Sequence, residues 1–243
     1  MHGQQVPGPL LQSALDYTDN ALQRMADTIR ADGQASSTAI ILTAKHGQSP
    51  QNSSQLQRIN DAPIIAGVNA AWASQHPGSK TLIVQEADDD GLLWWLSDRS
   101  QAATGFVKNY LWTHTAPAVS FGGQTVTVQH SGLRAIYAGH QAAQFFGVPA
   151  SDPHHPDVFA ISQVGTIYTT GSKIAEHGGD NPADRDVPLI VYAPGTVQAG
   201  RSGHPVEITQ VAPTVLKLLG LNPSGLQAVQ TEHTRVLPGV GRR

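Results

Sequence analysis

The sequence predicts an α/β protein: an open, mainly parallel sheet flanked by helices. Three observations carry this. Ile40-Ile41-Leu42-Thr43 and the run from Val187 to Tyr192 are short and almost uninterrupted in apolar character, as expected of strands buried on both faces. Amphipathic stretches with helical period accompany them. Two distant segments place His-Gly beside such runs, His46-Gly47 and His177-Gly178, and open α/β sheets bind ligands at the carboxyl edge of their strands.

Composition narrows the function classes. The chain has 243 residues, 40% hydrophobic and 14% charged, enough for one large domain with a substantial core. Net charge is -3, and no basic run exceeds Arg242-Arg243, so no nucleic-acid polymer is expected as partner. There is no cysteine, which excludes a disulfide framework and a thiolate zinc site. No stretch reaches the ~18 apolar residues of a membrane span. The first nine residues carry neither a basic segment nor an apolar one of the signal-peptide type.

The elements follow in order. Leu11, Ala14, Leu15, Thr18, Leu22, Met25 and Ile29 recur at three- and four-residue spacing, and Gly33 closes the run, predicting an amphipathic helix of about 20 residues. An α/β domain ordinarily opens with a strand. This chain opens with a covering helix, so a truncated domain lacking its amino-terminal part is expected. Residues 47–80, rich in Gln, Asn, Ser, Gly and Pro, read as a long irregular excursion. Residues 81–86 and 91–96 predict a hairpin around Asp88-Asp89-Asp90, which reads as a polar turn rather than a metal site. A helix is expected over 99–112, a strand over 133–137, a short helix over 141–146 and a second hairpin from 158–161 and 166–169. His154-His155 reads as a solvated turn, and Asp180, Asp184, Arg185 and Asp186 as a solvated charged loop. Trp94, Trp95 and Trp112 read as core packing, with a substrate cleft as the alternative. Residues 209–220 predict a helix with a capping Thr209, Pro213 in its first turn and a Gly220 stop. The expectation is one α/β domain over 1–243, with a hairpin-rich, cap-like insertion within 47–170.

Four segments, in this order, resemble the alkaline phosphatase superfamily, in particular its type I phosphodiesterase / nucleotide pyrophosphatase branch. They are Thr43-Ala44-Lys45-His46-Gly47-Gln48-Ser49-Pro50, Lys173-Ile174-Ala175-Glu176-His177-Gly178-Gly179, Asp186-Val187-Pro188-Leu189-Ile190-Val191-Tyr192-Ala193-Pro194-Gly195 and Val211-Ala212-Pro213-Thr214-Val215-Leu216. The resemblance covers this whole chain but only the carboxyl-terminal part of the family's domain. It implies a metal-dependent phosphoric ester hydrolase acting on small phosphoesters, with two ions, usually zinc, and a Ser or Thr nucleophile. It also implies an extracytoplasmic location. His46 matches the His of the family's Asp-His pair, and His177 matches its late His; neutral imidazole is a good zinc ligand. Glu176 either orients His177 as a hydrogen-bond acceptor or is a surface charge.

Two departures qualify the match. Lys45 stands where the family has the Asp of the pair. An ammonium 4 Å from a divalent ion is repelled by about 8 kcal/mol at an effective dielectric near 20. Lys45 therefore either snorkels to the surface or replaces the ion locally and contacts a phosphate oxygen. The family's early Asp and nucleophile also have no counterpart, and His2, the one candidate for a trace of its middle Asp-His motif, has a longer spacing to Gly8-Pro9 than the family pattern. The chain is accordingly expected to be an incomplete hydrolase, inactive alone. The alternative is a non-catalytic phosphate- or anion-binding module on the same scaffold. A sulfatase or phosphomutase would share these motifs.

Overall fold

The structure is a computed structural model and describes residues 8–197 and 199–240; His2 lies outside the described residues. The chain runs through α1 (Pro9–Ala31), β1 (Ile40–Thr43), β2 (Gln57–Ile59), α2 (Ala62–Gln75), β3 (Ile83–Asp88), β4 (Gly91–Leu96), α3 (Gln101–Thr113), β5 (Ala116–Ser120) and β6 (Thr125–Val128). It continues through β7 (Leu133–Ala138), α4 (His140–Phe145), β8 (Val158–Ser162), β9 (Thr166–Tyr168), α5 (Pro182–Arg185), β10 (Leu189–Tyr192), α6 (Val211–Leu218) and α7 (Gln227–Glu232). It divides into two compact units, Ala44–Val187 and the pair of segments Met1–Thr43 and Pro188–Arg243.

The unit Ala44–Val187 holds the main core. One sheet has the order β3-β4-β8-β7 and is antiparallel throughout. β8 is buried along its whole length, as a central strand should be. The second sheet, β6-β5-β2-β9, joins β2 and β9 in parallel. Helix α2 turns Ile64, Val68 and Trp72 inward, a four-residue repeat that keeps one face on the core. They pack in one cluster with Ile59, Leu92, Trp94, Val107 and Leu111. Ser100 caps α3 by accepting from the Ala103 amide at 3.2 Å, which satisfies one of the open N–H groups of the first turn. The buried Asp157 carboxylate accepts from the Leu96 amide at 2.8 Å and from Arg99 Nε at 2.5 Å.

The unit Met1–Thr43 with Pro188–Arg243 has a two-stranded antiparallel ribbon, pairing Ile40 with Tyr192 and Thr43 with Leu189. Thr214 in α6 donates to the Gln210 carbonyl at 2.7 Å and accepts from the Leu237 amide at 2.8 Å. Among the described residues of this unit, the buried apolar side chains are Ala193, Pro213 and Leu237. Helix α1 buries no residue.

The α/β class and flanking helices stand, but the strand directions differ from expectation. Among the described residues only β2 and β9 run parallel. A parallel sheet needs both faces covered, whereas no residue of β1 is fully buried and β10 alternates between exposed and half-buried. Apolarity alone does not encode direction. Short turns such as 89–90 impose antiparallel pairing.

Two element expectations are corrected. β8 and β9 do not form a hairpin: β8 pairs with β4 and β7, and β9 with β2. Gly165 separates them at φ +97°, where its carbonyl accepts from the Gln57 amide at 2.9 Å. Residues 47–80 contain β2 and the 14-residue α2. Gly67 inside α2 obscured the helix in the sequence. It is there because a Cβ would lie 2.2 Å from the Tyr110 hydroxyl.

Candidate metal centre

Three stretches of the unit Ala44–Val187 meet: residues 46–49, the β3–β4 turn and residues 176–184. Two backbone bonds clamp the first to the third. The Ser49 amide donates to the Glu176 carbonyl at 2.9 Å, and the Glu176 amide donates to the Ser49 carbonyl at 2.8 Å. The Gly47 amide donates to the Asp184 carbonyl at 2.6 Å. A Cβ on Gly47 would sit 1.9 Å from the Ala183 carbonyl oxygen, and one on Gly179 would sit 2.4 Å from Asp90 Oδ1. Both positions therefore need glycine for close backbone approach. This packing brings the two predicted histidines together.

The imidazoles of His46 and His177 stack, with centroids 3.9 Å apart and planes inclined at 23°. His46 Nδ1 lies 2.8 Å from the Gly47 carbonyl oxygen. A carbonyl only accepts, so Nδ1 carries a proton, and in the neutral ring this leaves the Nε2 lone pair for a metal. A ligated ion lies in the plane of its imidazole. Rings stacked with centroids 3.9 Å apart and planes only 23° from parallel do not converge within a zinc–nitrogen bond of about 2.1 Å. In this arrangement the two rings address separate points, not one shared ion.

His177 has closer company. One ligand atom from each of Asp89, Glu176 and His177 lies within 4.8 Å of the others. Glu176 is buried, and Asp89 and His177 are half-buried. Burial, reinforced by the Glu176 charge, raises the Asp89 pKa, while His177 and Lys173 draw it down. Lys173 donates to Glu176 Oε1, and its own pKa is raised by that bond. The donor set, one imidazole and two carboxylates, fits zinc or a similar divalent transition ion. Lys45 is exposed and pairs with no acidic group among the described residues, so Lys173 supplies the positive charge here.

Behind the cluster lie carboxylates that are buried, where solvated groups are expected from the sequence. Asp90 is 0% exposed and accepts from Ser49 Oγ at 2.7 Å. Asp184 is 4% exposed, and its pKa is pushed up to about 7 by burial and by Asp90 beside it. Each has one oxygen, Oδ1, with no hydrogen-bond donor. Asp88 is pushed up to about 8 by burial, against two bonds donated by Trp94 Nε1 at 2.8 and 3.0 Å. Trp94 is core, as read, whereas Trp112 is exposed. His154 is exposed as read, but His155 is buried. The signals for the missed acids were present: an acidic triplet between two strongly apolar strands, and glycines facing it from residues 178–179.

No family model matches the chain, and no curated protein matches it. Among solved structures, it is similar to human ectonucleotide pyrophosphatase / phosphodiesterase 5 at 13% identity and a TM-score of 0.58, covering 99% of this chain and 52% of that one. It is also similar to the alkaline phosphatase PafA at 17% identity and a TM-score of 0.56, covering 83% of this chain and 38% of that one. The chain thus spans about half or less of the length of the structures it matches. At these identities the likeness concerns the fold alone: the chain has the fold of part of each of these two structures.

Proposed function

We propose that this chain is part of a metal-dependent phosphoric ester hydrolase, with His46 and His177 serving as ligands at two neighbouring ion positions. The stacked imidazole pair carries this reading, because its ring planes suit two adjacent ions and not one. Bound zinc would supply Lewis-acid stabilisation of charge on phosphoryl oxygens. The chain's own part is to hold that charge in place: His46 is oriented by the Gly47 carbonyl, and Glu176 and Asp89 flank His177. Ser49 is not available as a nucleophile, since it is buried and committed to Asp90. On this reading small phosphoesters are the substrate class, and no turnover is expected from this chain by itself.

A second reading, a phosphate-binding module without turnover, is favoured by one observation: Lys45 is exposed beside His46 and free of acidic partners among the described residues.

Calorimetry with vanadate separates the two. On the hydrolase reading vanadate binds only after zinc is added, His46→Ala or His177→Ala abolishes binding, and bis-p-nitrophenyl phosphate is not turned over. Zinc-independent binding that Lys45→Ala removes selects the module. Turnover that survives both histidine substitutions would overturn the site assignment.

A further inference from the structure

We propose that Asp89, Glu176 and His177 form a complete three-ligand site for one divalent transition ion, with His46 outside its coordination sphere. The idea rests on the reading of His177 as a ligand and adds two carboxylates that the family resemblance does not supply.

Geometry carries it. The three donor atoms already lie within 4.8 Å of one another. Zinc bonds of about 2.0–2.2 Å in tetrahedral array need donors about 3.3–3.6 Å apart, so small rotamer adjustments close the site. The ring planes of His46 and His177 exclude a shared ion, so an ion on His177 must draw its other ligands from elsewhere.

The frame is independent evidence that the cluster is built. Glu176 is locked by its paired backbone bonds to Ser49. The β3–β4 turn that carries Asp89 is held by Ser49 Oγ on Asp90 and by the close passage of Gly179. Gly178, at φ +100°, lets the chain leave His177 past Asp89 Oδ2, which lies 3.8 Å from where a Cβ would stand.

Charge also favours an ion. Asp89 and Glu176 bring two negative charges together, and Lys173 answers one of them with an exposed ammonium. A divalent ion answers both, displaces Lys173 from Glu176 and leaves a fourth position open for water or a phosphoryl oxygen.

The test is zinc titration calorimetry on chelator-stripped protein, with visible absorption of bound Co²⁺ as a second readout. One ion per chain is expected at this site. Asp89→Asn, Glu176→Gln and His177→Gln should each weaken binding at least tenfold, and His46→Gln should change it less than threefold. His177→Gln alone should alter the Co²⁺ spectrum as loss of a nitrogen ligand. Lys173→Gln should tighten binding, because a competitor for Glu176 is gone. Metal-free circular dichroism and melting confirm folding of each variant, with Asp89→Asn at least as stable as the parent. If Asp89→Asn and Glu176→Gln bind like the parent while His177→Gln does not, the three-ligand site is overturned and His177 remains a ligand. If His177→Gln also binds normally, the hydrolase reading of this site falls with it.

Discussion

Asp184 is protonated more readily in the folded chain than in an unfolded one, because burial and the Asp90 carboxylate both oppose its charge. A raised folded pKa favours the acid form, so its stabilising contribution is full below about 4 and is lost as pH rises through about 7. The melting temperature should therefore fall across that window. Asp184→Asn keeps an acceptor for the Asn181 amide and should flatten the fall; an unchanged slope in a pH series of thermal melts would contradict this. Gly47 gives a second residue-scale expectation. A Cβ there overlaps the Ala183 carbonyl oxygen, and overpacking of this kind costs about 1–3 kcal/mol. Urea unfolding should show that loss for Gly47→Ala and none for Gly122→Ala, whose Cβ meets nothing within 4 Å. His46 and His177 were legible in the sequence because His-Gly beside apolar runs is a local pattern. Asp89, Asp90 and Asp184 were not legible locally, because the acidic turn and the glycines that cover it lie about 90 residues apart and only the fold brings them together.

At the level of elements, burial decides which helices matter to the fold. Ile64 sits on the buried face of α2 at 2% exposure, and Ile64→Ala should cost about 2–5 kcal/mol. Leu15 in α1 is exposed, and Leu15→Ser should change stability by less than about 0.5 kcal/mol. Denaturant midpoints of the two variants check both figures. The helices with a clean three-and-four period, α1 and α6, were readable from the sequence, as was the β3–β4 hairpin. Helix α2 was not: Ala, Ile and Val nearly surround it, and its one glycine serves a contact with Tyr110, 43 positions on. The partners of β8 and β9 were hidden for a related reason. Two apolar strands with a short polar break fit a hairpin or two separate sheets equally well, and the choice lies in long-range register.

For the whole molecule, cohesion is unevenly spread. The cluster around Trp94, Val107 and Leu111 belongs to Ala44–Val187, while the other unit buries little beyond Ala193, Pro213 and Leu237 as apolar core. Local opening is cheapest where few apolar contacts must be broken. Hydrogen exchange followed by mass spectrometry should find the slowest amides in β4 and β8 and fast exchange throughout α1. Equal protection in α1 and β8 would contradict the assignment of cohesion.

The paired amide bonds between Ser49 and Glu176 also set a rule for descent. They count residues as a zip counts teeth: one residue gained or lost between His46 and Ser49 would carry the imidazole off its neighbour while leaving composition untouched. Among descendants of this gene that keep both histidines, the spacer should stay at one length while the nearby surface loops grow and shrink freely.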